Sequence, residues 1–101
     1  MNIEYSEKSL KDLKSFSHPD RTLIAKKIHY LAENFDALKS SKKVTELKGS
    51  EFESQYRFVV AKKIRILFRI EDDTIVLLVL RVGFRKNIYS SWLKQLSSKK
   101  A

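Results

Sequence analysis

The sequence predicts an α+β fold: an N-terminal helical hairpin packed on a small, mainly antiparallel, twisted β-sheet, with a short C-terminal helix, all in a single domain over residues 1–101. Three observations predict it. Apolar residues recur every three or four positions before residue 36 and every second position after Tyr56. Two glycines and one proline are all that punctuate 101 residues, so most of the chain is regular structure. A hydrophobic content of 43% supplies one modest core, as expected of a domain this small.

Asn2 to Tyr5 reads as a short strand with Ile3 and Tyr5 on one face. Ser6 is suited to cap a helix, and Glu7 places a negative charge in its first turn. Leu10, Leu13 and Phe16 recur every three residues, which predicts a short amphipathic helix ending near Ser17-His18. Pro19 fits the first position of a second helix, where its missing N–H costs nothing. Ile24, Ile28, Leu31 and Phe35 form the apolar face of that helix, backed by Leu23. Residues 36–50 have no clear period. Ser40 to Lys43 reads as a loop, and Gly49-Ser50 as a turn.

From Tyr56 the period is two. Tyr56, Phe58 and Val60 share a face, as do Ile64, Ile66, Phe68 and Ile70. Thr74 to Val82 is almost wholly apolar, as expected of a central strand buried on both sides. Three-residue turns at Ala61-Lys62-Lys63 and Glu71-Asp72-Asp73 would set Val60 against Ile64 and Ile70 against Thr74. That register puts Phe58, Ile66, Phe68, Val76 and Leu78 under the helices. It puts Arg57, Lys63, Arg65, Arg69 and Arg81 on the other face, with Leu67, Leu77 and Val79 between them. A final helix from about Ile88 to Leu96, carrying Trp92, would cover part of this second face.

Charge narrows the function. The net charge is +9, and it is lopsided: residues 1–55 hold ten basic and nine acidic side chains, residues 56–101 eleven and three. A field this concentrated implies a polyanionic partner. There is no cysteine, which excludes disulfides, thiolate catalysis and zinc–thiolate sites. No phosphate-binding glycine loop is present, so nucleotide hydrolysis is not supported. His18 and His29 are isolated, and Asp72-Asp73 suits a turn better than a catalytic pair. No metal site and no cofactor are expected. No stretch reads as a signal peptide or membrane span, and with the absence of cysteine this fits a cytoplasmic protein.

The remaining polar cluster is Arg57, Lys62, Lys63, Arg65, Arg85, Lys86 and Tyr89. Such a group suits metal-free cleavage of RNA, whose 2′-hydroxyl is its own nucleophile. The protein need only align it, take its proton, neutralise charge at phosphorus and assist the leaving oxygen. The competing reading of the same residues is structural: Arg57 and Arg65 paired with acids, Tyr89 packed at the core edge.

The residues Leu47-Lys48-Gly49, Tyr56-Arg57-Phe58, Ile64-Arg65-Ile66-Leu67-Phe68-Arg69-Ile70 and Val82-Gly83-Phe84-Arg85-Lys86-Asn87-Ile88-Tyr89, with the acidic turn at 71–73, resemble the RelE/ParE toxin superfamily. They are most similar to its RelE-like ribonuclease branch. The resemblance implies a toxin of a type II toxin–antitoxin pair that cuts messenger RNA in the ribosomal A site without a metal. It also implies a cognate antitoxin as partner, alongside mRNA and the ribosome, and no membrane. By position, Arg57, Arg65, Arg85 and Tyr89 would be catalytic, and Lys62, Lys63, Arg81 and Lys86 would bind RNA. The chain departs from the pattern at Val59, where some RelE-like members carry a lysine assigned as general base. ParE-like relatives share the fold but inhibit DNA gyrase by protein contact, and they form the alternative. A domain that binds RNA without cutting it would use exposed aromatics as stacking platforms, whereas Phe58, Phe68 and Trp92 read as packing residues.

Overall fold

The computed structural model describes residues 1–47, 55–71 and 76–84. Their order is β1 (Asn2–Tyr5), α1 (Glu7–Lys14), α2 (His18–Glu33), α3 (Phe35–Ser40), β2 (Val44–Glu46), β3 (Gln55–Val60), β4 (Ile64–Glu71) and β5 (Val76–Phe84). The five strands form one sheet in the order β1-β5-β4-β3-β2. β1 runs parallel to β5 and every other pair is antiparallel. The α+β expectation therefore holds for the described residues; the expected C-terminal helix and the Gly49-Ser50 turn lie outside them. No helix among the described residues is long and apolar enough to cross a membrane.

Capping follows the sequence closely. The Ser6 hydroxyl accepts the Ser9 amide at 3.0 Å, and the Ser17 hydroxyl accepts the Asp20 amide at 3.3 Å. Ser17 thus caps α2, so Pro19 is its second residue rather than its first. α2 lays Ile24, Ile28 and Leu31 on the sheet, all fully buried. It stops at Glu33, and Phe35 opens α3, a helix whose Phe35 and Leu38 enter the core. Phe35 stands edge-on to Tyr56 at 5.2 Å and to Phe68 at 6.0 Å. α3 and β2 fill the stretch that the sequence leaves without a period.

The face of α1 differs from expectation. Leu10 is 46% exposed, whereas Ser9 is fully buried. α1 lies against β5, and a serine lets the two backbones approach where leucine could not. The Ser6 hydroxyl donates to the Leu80 carbonyl at 2.8 Å, which ties the start of the helix to that strand.

Val60 faces Ile64, as the three-residue turn requires. The second hairpin is shifted: Ile70 pairs with Leu77 and Glu71 with Val76, not Ile70 with Thr74. Leu77 and Val79 consequently enter the core under the helices, while Val76 and Leu78 take the second face, the reverse of the predicted assignment. The cause is the uniform run Val76 to Leu80, in which alternation carries no signal, so two registers look alike. A bulge then intervenes. Leu67 pairs with Arg81 and Phe68 with Val79, leaving Leu80 as the extra residue. The bulge restores phase, and Val82 joins the core.

Candidate nucleic-acid interface

The β3–β4 hairpin is the frame of the site. Its turn, Ala61-Lys62-Lys63, contains no glycine, yet Ala61 and Lys62 take φ of 51° and 64°. Left-handed backbone costs a residue with a Cβ on the order of 1 kcal/mol. The turn holds Lys62 and Lys63 exposed at the tip of the hairpin.

Arg57 and Arg65 share the second face of the sheet. Arg57 stands opposite Leu67, and Arg65 opposite Val59 on one side and Gly83 on the other. The two arginines are therefore diagonal neighbours, with backbones about 7–8 Å apart. Gly83 puts no side chain beside Arg65. The Arg65 guanidinium is buried, and its Nη1 donates to the Lys62 carbonyl at 2.8 Å. This bond ties the arginine to the lysine-bearing turn. Its Nε is buried with no hydrogen-bond partner among the described residues. Arg57 is partly exposed. Arg69 extends the same face and pairs with Glu71 at 3.4 Å, an ion pair about two-fifths exposed and hence weak.

Arg81, expected to bind RNA, is paired with Asp12 of α1. Its Nε and Nη2 donate to the two Asp12 oxygens at 2.8 and 3.1 Å, so its charge is matched within the fold. Asp12 is a residue sequence reasoning passed over; an acid on a lysine-rich helix was its only signal. Arg85, Lys86 and Tyr89 lie outside the described residues. β5 nevertheless brings the chain to Phe84 opposite Ile64, at the end of the sheet that carries the lysine turn. Arg85 is the next residue in the chain. His18 and His29 are both exposed.

The basic hairpin thus brings together Arg57, Arg65, Lys62 and Lys63. It can attract a phosphodiester and offer it the partly exposed guanidinium fork of Arg57, with the buried Arg65 adding its positive field. A second group of cations, Lys27, Lys42 and Lys43, shares a cleft with Arg57. Sequence spacing does not join these, because they come from α2 and from the turn that follows α3.

The family model of the ParE toxin of type II toxin–antitoxin systems matches residues 3–89. No curated protein sequence matches the chain. Among solved structures, the isolated RelE toxin of E. coli is similar with a TM-score of 0.64 at 20% identity, over 94% of this chain and 97% of that one. An archaeal RelE–RelB complex from Pyrococcus horikoshii gives 0.63 at 16% identity, over 85% and 96%. A RelBE toxin–antitoxin complex from Mycobacterium tuberculosis gives 0.62 at 15% identity, over 83% and 96%. At these identities the structural likeness is one of fold. The family match covers most of the chain, and the chain belongs to the RelE/ParE superfamily of type II toxin–antitoxin toxins.

Proposed function

We propose that this toxin is a metal-independent endoribonuclease that cuts messenger RNA in the ribosomal A site and so arrests translation in the cytoplasm. The observation that carries the reading is the convergence of Arg57 and Arg65 on one sheet face beside the Lys62-Lys63 turn, at the end where β5 delivers the chain toward Arg85. In this reading the 2′-hydroxyl of the substrate attacks the adjacent phosphorus. Arg57 neutralises charge gathering on the phosphate oxygens. Arg65, buried and anchored through Lys62, adds to the field and holds the turn in place. Lys62 and Lys63 draw in the strand, and Lys86 extends that contact. Arg85 assists the leaving 5′-oxygen, and Tyr89 stacks on a base or moves a proton. Arg81 is left out of the RNA contact because Asp12 already holds it.

An antitoxin is the expected protein partner, since the solved structures of similar fold include toxin–antitoxin complexes. The test of the nuclease is a reconstituted translation reaction with a defined messenger, read by primer extension with and without ribosomes. Ribosome-dependent cuts that vanish in Arg57→Ala and Arg85→Ala support the reading. Folded, antitoxin-free protein that arrests growth but makes no cut refutes it.

A second reading has its own support. The matching family model is that of a ParE toxin, and Val59 stands where some RelE-like members place a lysine base. Inhibition of DNA gyrase by protein contact would then be the activity, and toxicity would survive loss of Arg85 and Tyr89.

A further inference from the structure

A cleft of ≈430 Å³ opens at the outer edge of β3, between α2, the link from α3 into β2, and the start of the β3–β4 turn. Lys27, Lys42, Lys43 and Arg57 line it together with Tyr30 and Thr45, and no carboxylate lines it among the described residues. The three lysines are exposed. Tyr30 is 47% exposed, and the Lys27 ammonium stands 5.8 Å from its ring centre.

Two backbone features shape the cleft. α3 ends in a Schellman motif: the Lys42 amide donates to the Lys39 carbonyl at 3.1 Å and the Lys43 amide to the Leu38 carbonyl at 2.9 Å. Lys42 occupies the left-handed position, φ 66°, where glycine is the usual residue. The turn therefore sets two consecutive lysines at the mouth. The second feature is the short edge strand. β2 pairs with β3 only as far as Val44 against Phe58. The Gln55 carbonyl accepts the Leu47 amide, so by antiparallel alternation Arg57 and Val59 also turn their backbone groups toward that side. Val59 lies beyond the end of β2 and lines the cleft.

We propose that this cleft is a second RNA subsite, which holds the phosphodiester backbone of the single strand flanking the cut, with Tyr30 as a platform for one base. The proposal rests on the ribonuclease reading and extends it. Arg57 belongs both to the cleft and to the arginine face, so a strand leaving the scissile phosphate passes into the cleft without a break. Clustered cations beside an exposed aromatic ring are the recurring elements of single-strand binding. An acidic peptide is the poorer fit. A helical one needs an apolar stripe, and an added strand needs a run of outward backbone groups; here only Val59 and Val60 of β3 lie past the end of β2, and of the two Val59 alone turns its backbone groups outward.

The test is binding of an uncleavable 2′-O-methyl oligonucleotide, followed by fluorescence anisotropy across a salt series. Lys27→Gln, Lys42→Gln and Lys43→Gln are combined in one variant. Lys8→Gln, Lys11→Gln and Lys14→Gln, three exposed residues of α1, form a control of equal charge loss. Thermal melts confirm that both fold. The cleft variant is expected to bind about tenfold or more weakly, with a salt slope smaller by about 2, while the α1 variant changes little. Tyr30→Ala is expected to weaken binding without altering the slope. Equal losses in the two triple variants would show that only net charge matters and overturn the subsite. So would unchanged RNA affinity in a cleft variant that no longer binds an acidic peptide. These failures are separate from failure of the ribonuclease reading, which is scored by whether the wild-type chain cuts RNA at all and whether cutting needs Arg57.

Discussion

Asp12 and Arg81 are joined by two hydrogen bonds across 69 positions of sequence. The same carboxylate accepts the Val82 amide at 2.9 Å. β1 ends at Tyr5, opposite Val79, so among the described residues the edge of β5 beyond that point has no strand beside it. Asp12 stands where the next strand's carbonyl would be, and α1 thereby finishes the sheet that β1 begins.

Removing that carboxylate leaves the Val82 amide without its acceptor and takes a counter-charge away from a mostly buried guanidinium. Asp12→Ala is expected to cost about 2–4 kcal/mol of stability, read from urea unfolding. Asp12→Asn is expected to cost less, because its amide oxygen still accepts from Val82. Arg81→Ala is expected to lower stability with little change in RNA affinity. An Arg81→Ala protein of normal stability that fails to bind RNA would return Arg81 to the RNA-binding group.

Arg57 and Arg65 are expected to separate under mutation. Arg57→Ala should lower single-turnover cleavage about 10²- to 10³-fold, with the loss of rate exceeding any loss of stability in folded protein. Arg65→Ala should lower both cleavage and stability, the latter by about 1–2 kcal/mol, because its bond to the Lys62 carbonyl goes with it. Arg65→Lys is not a rescue, as an ammonium cannot reproduce a planar fork. Full activity in folded Arg57→Ala would remove the central element of the proposed mechanism.

The elements whose local and tertiary signals agree are the ones the sequence makes legible. Ser6 and Ser17 announce their helices, and period two announces β3 and β4, with Val60 against Ile64 fixed by a short turn. Val76 to Leu80 is opaque for a physical reason: five apolar residues in a row fit either face, and a bulge at Leu80 is invisible to periodicity. α3 is too short for a period to develop, although Phe35 and Leu38 have helical spacing. Arg57 and Arg65 stand out as charged residues alternating with core residues. The cleft lysines do not, because only the fold brings Lys27 to Lys42 and Lys43. Asp12 is hidden among exposed lysines, and its role depends on where β1 stops.

Burial raises the pKa of the Tyr5 hydroxyl above the ordinary tyrosine value of 10.0. The folded state therefore holds this proton more tightly than the unfolded state. Its contribution to stability is complete below about pH 10 and is lost as pH rises through the raised pKa. Tyr5→Phe is expected to flatten the fall in stability above that pH and leave the profile near neutrality unchanged. Chemical denaturation at a series of pH values up to 11 reads the difference, and coincident profiles would assign the alkaline loss to other groups.

Val59 stands on the second face directly opposite Arg65, and it is 38% exposed. At a position this exposed, Val59→Lys is expected to fold with a change in stability under about 1 kcal/mol. It would set an amine one strand from Arg65 and two residues from Arg57, whose positive charges favour its neutral, proton-accepting form. If the wild-type nuclease lacks an effective base at this point, the variant should cleave faster, by about tenfold or more, with a pH–rate profile displaced from that of the wild type. An unchanged rate and profile would mean that another group, with Tyr89 the leading candidate, already removes the 2′-hydroxyl proton. Growth arrest that persists undiminished while neither protein cuts RNA would instead favour the gyrase-directed reading, since proton transfer at residue 59 has no place in inhibition by contact.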